Sequence, residues 1–571
     1  MPVDRRRRAA NPQPANRMTT RLRDRVAELG QRRVQLHWSN LFGVVTFTCF
    51  VVLAVTGILL SFTYTPSNEL VTYTGPYGPL QGATVTEAFA STMRISFEQT
   101  GGLLLRQTHH WAALVMPASI IMQLLITFFS GGFRRPRRLS WVLLVAAFVL
   151  VLAAGWSGYA LPDDMLSGTG LRIVEGVVLS IPFLGTWIAG LMFGGPFPGQ
   201  IIENLYPLHV AIAPGLLVAV LIARAALTLR DGQARQFRPE PVATLGLRLW
   251  PDAAFRALGM MGITGSVLVL LGATATISPV WTYGPASVGE VGAGSQPDWY
   301  MGFLDGALRL VPVGWETEWF GWTWTFATLV PLAVVAVYFG LLVAYPYIES
   351  WVTQDRKQHH VLDRPRHFPV RTGIGVAGML FYGVLWGAAS ADIVSTEFNV
   401  SFESVITTLQ VLLLAGPALA FEVTRRVCIG LQRKDREIAL HGHETGRIVR
   451  MPNGGYAEVH QPADDAERAR LAVVPVPAAP GRTDDAGRLR GAERLRGVLA
   501  RGFGTGHVVP AAAREQDRGE DRGEDRESAG ALTARGTSGR GADQASGRVA
   551  GRAAGRSLER TGRGGGGRRR A

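Results

Sequence analysis

"RQTHHWAALVMPASIIMQLLITFF", residues 106–129, is the stretch that decides the fold. It is an almost unbroken apolar run, and roughly 20 such residues let a helix cross the hydrocarbon of a bilayer. Comparable blocks lie at 41–62, 139–160, 207–228, 257–280, 323–345, 372–391 and 404–422, and this one counts as 108–129. Lipid offers backbone polar groups no partners, so each block must satisfy its own hydrogen bonds as a helix. The expectation is an all-α integral membrane protein with eight transmembrane helices. Hydrophobic residues make up 47% of the chain and charged residues 18%. The N-terminus carries a long basic stretch rather than a short cleavable leader, so the first block reads as an uncleaved anchor.

A net charge of +14 raises the question of nucleic acid. Its distribution answers differently. Basic residues crowd the N-terminal arm (Arg5–Arg8, Arg32, Arg33) and the loops after the second block (Arg134, Arg135, Arg137, Arg138) and the fourth (Arg230, Arg235, Arg238). They return after the sixth (Arg356, Lys357, Arg364, Arg366) and the eighth (Arg425, Arg426, Arg433, Lys434). Excess Lys and Arg marks cytoplasmic loops. A multi-pass cell-membrane protein with both termini in the cytoplasm follows, with no nucleic-acid partner. The odd-numbered helices run outward and the even-numbered ones inward. Residues 1–40 form a basic cytoplasmic arm and 431–460 a cytoplasmic extension. Residues 461–571, rich in Arg and Gly and poor in aromatics, bury too little to fold and read as a disordered tail. Cys49 and Cys428 stand far apart in sequence and define neither a disulfide framework nor a thiolate metal site.

The second and fourth helices both run inward, and His109 and His209 stand near their outer ends. Ionisable groups inside a membrane are functional candidates. Two neutral imidazoles at one depth could ligate a metal from both sides, or each could hydrogen-bond a neighbour at the interface. Gly43, Gly57 and Gly158 would let helix backbones approach a flat group, although helix packing alone also selects glycine. Pro117 is expected to bend the second helix.

"HWSNLFG", "GGLLLRQTHHWAAL", "FRRPR", "GYALPDDMLSGTGLR", "LHVAIAPG", "QPDWYMGFLDGALRLVP", "LDRPRHFPVRTGIGVA" and "HGHETGRIV" occur in this order from about residue 37 to 460. Together they resemble cytochrome b of the quinol:cytochrome c oxidoreductase (bc1) complex in its actinobacterial form. The resemblance implies an N-terminal four-helix haem bundle at 41–230 and four further helices at 250–430. It also implies that the chain is a subunit of a redox enzyme. Two b haems normally lie across such a bundle, their ligand histidines 14 or 15 residues apart on the second and fourth helices, or roughly 21 Å at 1.5 Å per residue. His109 and His209 match the ligands of the outer haem, Arg106 a propionate contact, and Gly57 and Gly158 the close approaches to the macrocycle.

The inner level departs from that pattern. Gln123 and Arg224 stand where the resemblance expects the second histidine pair. Ile126 replaces a propionate arginine and Leu144 a glycine. Neither an amide nor a guanidinium suits the iron of a b haem. The expectation is therefore one haem b, on the outer side, with the inner cavity filled by side chains and Arg224 free to snorkel toward the interface. Asn204 also replaces an arginine expected near the outer haem.

Oxidising a quinol removes two protons as well as two electrons. The resemblance makes "PDWY", Pro297–Tyr300, part of an outer quinol pocket, with Asp298 as proton acceptor and Tyr300 at the ring. Trp299 belongs to the same loop, and Tyr159 and Gly168 belong to an opposing one. The implied partners are menaquinol, the Rieske iron–sulfur and cytochrome c subunits, the lipid bilayer and a second copy in a homodimer. A non-catalytic paralogue acting in assembly or regulation is the alternative. A transporter is disfavoured, because no repeated broken helices occur.

Overall fold

A computed structural model describes residues 23–235, 246–290 and 296–471, apart from 26, 35 and 36, together with 495–497 and 499. Arg5–Arg8, Arg238 and the tail beyond 471, those few positions excepted, lie outside the described residues. Among the described residues, eight helices are long and apolar enough to span a membrane. The chain is predominantly helical, as the apolar blocks require.

Helix α1 spans Trp38–Ser61, and the His37 side chain caps it by accepting from the Ser39 amide. A short hairpin follows, β2 (Leu70–Thr72) with β3 (Thr84–Thr86), then α2 (Glu87–Phe97), capped by Thr86. The opening stretch forms α3, Gly102–Phe129, which continues as one helix through Pro117. Helix α4 spans Arg138–Ala160, and α5 (Met165–Leu179) and α6 (Gly185–Phe193) cross between it and α7. Helix α7, Ile201–Asp231, contains a π-helical turn at Leu208–Ile212. The second half comprises α8 (Ala254–Thr274), α9 (Gly302–Arg309), α10 (Phe326–Thr353), α11 (Pro369–Ala389), α12 (Ala391–Phe398) and α13 (Phe402–His441). The fifth helix stops at Thr274, short of the expected 280. The last runs to His441, well past the expected 422, because its polar final turns no longer need lipid.

Helices α3 and α4 are the most buried spans, whereas α7, α8, α10 and α13 leave most of their apolar length facing outward. Helix α3 contacts α1, α4 and α8; α4 packs on α7, and α11 on both α9 and α13. The shared core includes Met116, Ile120, Trp141, Leu144 and Phe148. Both cysteines are buried and free.

The connections gather into two sets at opposite ends of the helices. At one end the main-chain amide of Met165 donates to Gly284 (2.9 Å), that of Ala286 donates to Asp163 (2.9 Å), and the Thr86 hydroxyl donates to the Asp163 carboxylate (2.7 Å). The exposed aromatic hairpin β5 (Glu316–Trp319) with β6 (Trp322–Thr325) precedes α10. At the other end the basic loops interlock. The buried Arg371 binds Asp363 (2.5 Å) and Glu349 (3.4 Å), Arg134 also pairs with Asp363, and Arg366 reaches Asp435 on α13 (2.8 Å). Here β1 (Arg33–Val34) pairs with β4 (Leu247–Arg248). The expected 431–460 extension holds the end of α13 and the hairpin of β7 (His443–Arg450) with β8 (Tyr456–Gln461). Residues 461–471, assigned by composition to a disordered tail, instead finish β8 and form α14 (Asp465–Leu471), which packs on α13.

Candidate functional site

His109 on α3 and His209 on α7 meet inside the bundle, their ring centroids 6.1 Å apart. Each ring is oriented through Nδ1. His109 Nδ1 lies 2.9 Å from Thr56 Oγ1, whose own hydroxyl donates to the Val52 carbonyl (2.6 Å), so the imidazole is the donor between them. His209 Nδ1 donates to the Ala154 carbonyl at 2.8 Å. Both rings therefore carry their proton on Nδ1 and keep the Nε2 lone pair, the arrangement of a metal-ligating imidazole. Two imidazoles on opposite faces of one metal, each at about 2 Å, have centres roughly 6 Å apart. The donor set and the spacing fit a haem iron.

The glycines stand where the rings need space. A Cβ on Gly57 would come 3.1 Å from His109 Cε1. One on Gly158 would lie 2.9 Å from His209 Nδ1 and 3.0 Å from its Nε2. The π turn that carries His209 is a local feature that the sequence reading did not find; Pro207 and Pro214 flanking it are the available signal. Arg106, one turn before His109, donates to the Ser278 carbonyl (3.3 Å) and lies 5.8 Å from the centre of the Trp281 ring. Its buried Nε has no hydrogen-bond partner among the described residues, so one donor remains for an anionic group such as a propionate. Asn204 instead donates to Met192 O (2.9 Å).

The PDWY loop packs on the same stretch of α3. Asp298 receives a hydrogen bond from the buried Tyr300 hydroxyl (2.9 Å), and both its oxygens lie 3.1 Å from Nε2 of His110. His110, the sequence neighbour of His109, points from a different face of α3. That face is the one the carboxylate occupies, a pairing across 188 residues that no local pattern signals. Trp299 Nε1 donates to Leu114 O (3.3 Å), and Trp386 Nε1 fixes the loop through Trp299 O (2.9 Å). Gly155, also absent from the sequence reading, admits the Tyr300 ring: a Cβ there would lie 2.5 Å from its hydroxyl. Tyr159 donates to Gln296 O (3.4 Å), beside Pro297. Gly168 packs against Ala286 rather than against the loop itself, so its part is to let two connections close together. Asp163 and Asp164 are buried nearby, and burial pushes both carboxyls upward in pKa; Thr86 and Ser167 hydroxyls donate to them.

At the level expected for a second haem the picture differs. Gln123 Nε2 donates to Thr46 Oγ1 (2.7 Å), and Arg224 Nη1 donates to Gln123 Oε1 (3.5 Å). The amide and the guanidinium thus occupy the facing positions as a polar pair. Arg224 does not snorkel away, because Gln123 offers it an acceptor inside the bundle. Ile126 and Leu144 line the same space. The cavity is nevertheless not filled: about 200 Å³ stays open between the ends of α1, α3, α4 and α7. Side chains shorter than a macrocycle's span cannot close a gap that four helix ends and a loop hold apart.

The family model described as cytochrome b(N-terminal)/b6/petB matches residues 114–285. The cytochrome bc1 complex cytochrome b subunit of Streptomyces coelicolor is 38% identical over 476 residues, covering 82% of this chain and 87% of that one. The subunit of the same name from Mycobacterium tuberculosis is 42% identical over 433 residues, covering 75% and 78%. Among solved structures, a chain of a hyperthermophilic respiratory Complex III superposes with a TM-score of 0.51 at 16% identity, over 71% of this chain and 98% of that one. It shares the fold.

Proposed function

The chain belongs to the family of cytochrome b subunits of bc1-type respiratory complexes, and from that premise we propose that it oxidises menaquinol at the end opposite its basic loops, with a single b haem held between His109 and His209. A b haem there supplies a one-electron carrier. The chain's own residues do the rest. Thr56 and Ala154 hold the two imidazoles in the ligating tautomer, and Arg106 keeps a buried donor for an acidic substituent of the macrocycle. Asp298 takes a quinol proton while His110 and Tyr300 fix the carboxylate beside the helix that carries the ligand. Pro297, Trp299, Tyr159 and Gly168 shape the pocket. Its partners are a Rieske iron–sulfur subunit, a cytochrome c subunit and a second copy of the chain, in a cell membrane with both termini cytoplasmic.

One observation carries the reading: the facing histidines, each ordered through Nδ1, have Gln123 and Arg224 as their counterparts a bundle-length away. The same observation supports a second reading, a paralogue that assembles or regulates the complex without turnover, since a bundle with one ligand pair offers electrons no second station. Haem per chain in the purified protein, measured as the pyridine haemochrome, tests both. One haem supports the proposal, none favours the regulatory paralogue, and two would overturn the single-haem reading.

A further inference from the structure

The open space beside Gln123 has walls of one sign. Arg224 and Arg137 both line it, and its lining contains no aspartate or glutamate among the described residues. Among the described residues the Arg224 guanidinium has one long hydrogen bond, to Gln123, and its buried Nε has no partner. Arg137 binds the carbonyls of Gly132 (3.1 Å) and His359, which leaves Nη1 buried and without a partner among the described residues. Asp231, the acid next along α7, is hydrogen-bonded by its neighbour Arg230 at 2.7 and 3.1 Å and attracts Arg137 only through space, which leaves Arg224 as the cation without a facing acid among the described residues. A cation in a helix bundle without a counter-charge is expensive, and removing one partner of a buried pair typically leaves such a cost. Two guanidinium groups lining one polar cavity suit an oxyanion with several acceptor oxygens. The space is also lined by Gly232–Ala234 and Leu362 of the basic loops, the end of the bundle at which an anionic membrane surface would present its phosphate groups.

We infer that this cavity is a phosphate site, in which Arg224 and Arg137 bind the phosphate of an anionic lipid headgroup or of free inorganic phosphate. The site rests on the reading that no second haem occupies this level. Gln123 holds the Arg224 fork through its amide oxygen, and Gly43, close to Gln123 Oε1, leaves α1 without a side chain in the way.

The test uses the full chain purified in detergent, with haem per chain measured on the same sample. Binding of radiolabelled inorganic phosphate, of short-chain phosphatidylglycerol and of short-chain phosphatidylcholine is measured for the wild type, Arg224→Gln, Arg224→Lys and Arg137→Gln. Saturable binding of about one phosphate group per chain is expected. Each Gln variant should weaken it at least roughly tenfold, the loss of one charge-assisted hydrogen bond. The Lys variant should retain part of it, and haem content should stay unchanged throughout. Phosphatidylglycerol binding that inorganic phosphate does not displace identifies the headgroup as the source; equal and mutually exclusive binding identifies phosphate itself. Binding of phosphatidylcholine as tight as phosphatidylglycerol, affinities unmoved in both Gln variants, or no saturable phosphate binding in a one-haem protein would each overturn the site. Two haems per chain would instead overturn the reading beneath it.

Discussion

Arg224 donates to Gln123 across 3.5 Å although the two stand at unequal distances from their histidines, fifteen residues after His209 and fourteen after His109. The π turn at Leu208–Ile212 reconciles the two counts. It absorbs one extra residue within α7, so both positions reach the same depth. A straight α-helix would have turned residue 224 about 100° away from its partner.

This geometry bears on the haem count. The purified protein should carry one b haem per chain, and His209→Ala should abolish it. Restoring both histidines, Gln123→His with Arg224→His, should still yield one. Leu144 would keep α4 from a second macrocycle, and Ile126 would offer a propionate no partner. A pyridine haemochrome ratio of two in the double variant would refute that explanation.

The two glycines should not be equivalent. Gly158→Ala sets a methyl group against the His209 ring, whereas at Gly57 the nearest ring atom is 3.1 Å away. Overpacking of this kind costs typically about 1–3 kcal/mol. Gly158→Ala should therefore lose most of its haem while Gly57→Ala keeps most, as read from Soret absorbance per chain. The reverse order would mean that the rings move freely.

Asp298→Asn should slow menaquinol oxidation by the assembled complex by on the order of 10²-fold, the lower range for a general base, with haem content unchanged. His110→Gln should slow it less, because Tyr300 still holds the carboxylate. Wild type and Asp298→Asn turning over equally from about pH 6 to 9, well above the reference carboxylate range, would remove Asp298 from the mechanism.

The clamp between the basic loops and α13 should be acid-sensitive. Burial first, then Arg364, lowers the His367 pKa from 6.5 to about 4, against the opposing pull of Asp435. The unfolded chain takes up this proton near pH 6.5 and the folded chain only near 4. The unfolded state binds more protons between those values, so stability is full above pH 6.5 and falls as pH drops through that window. His367→Gln should flatten this part of the profile of thermal midpoint against pH; an unchanged slope would assign the acid sensitivity elsewhere.

Much of this protein was legible in one dimension. Lipid cannot satisfy a backbone, so the apolar blocks had to be helices, and their number and order followed from length alone. The histidines, the glycines beside them and the PDWY loop were readable because local motifs carry them. Other features lay between distant segments. His110 and Asp298 are 188 residues apart, the π turn that sets the depth of Arg224 leaves only two prolines as its trace, and the open volume beside Gln123 belongs to four helix ends at once. Composition sets what a segment can bury, but which side chains meet, and what space they leave, is decided by packing between elements that the sequence keeps far apart.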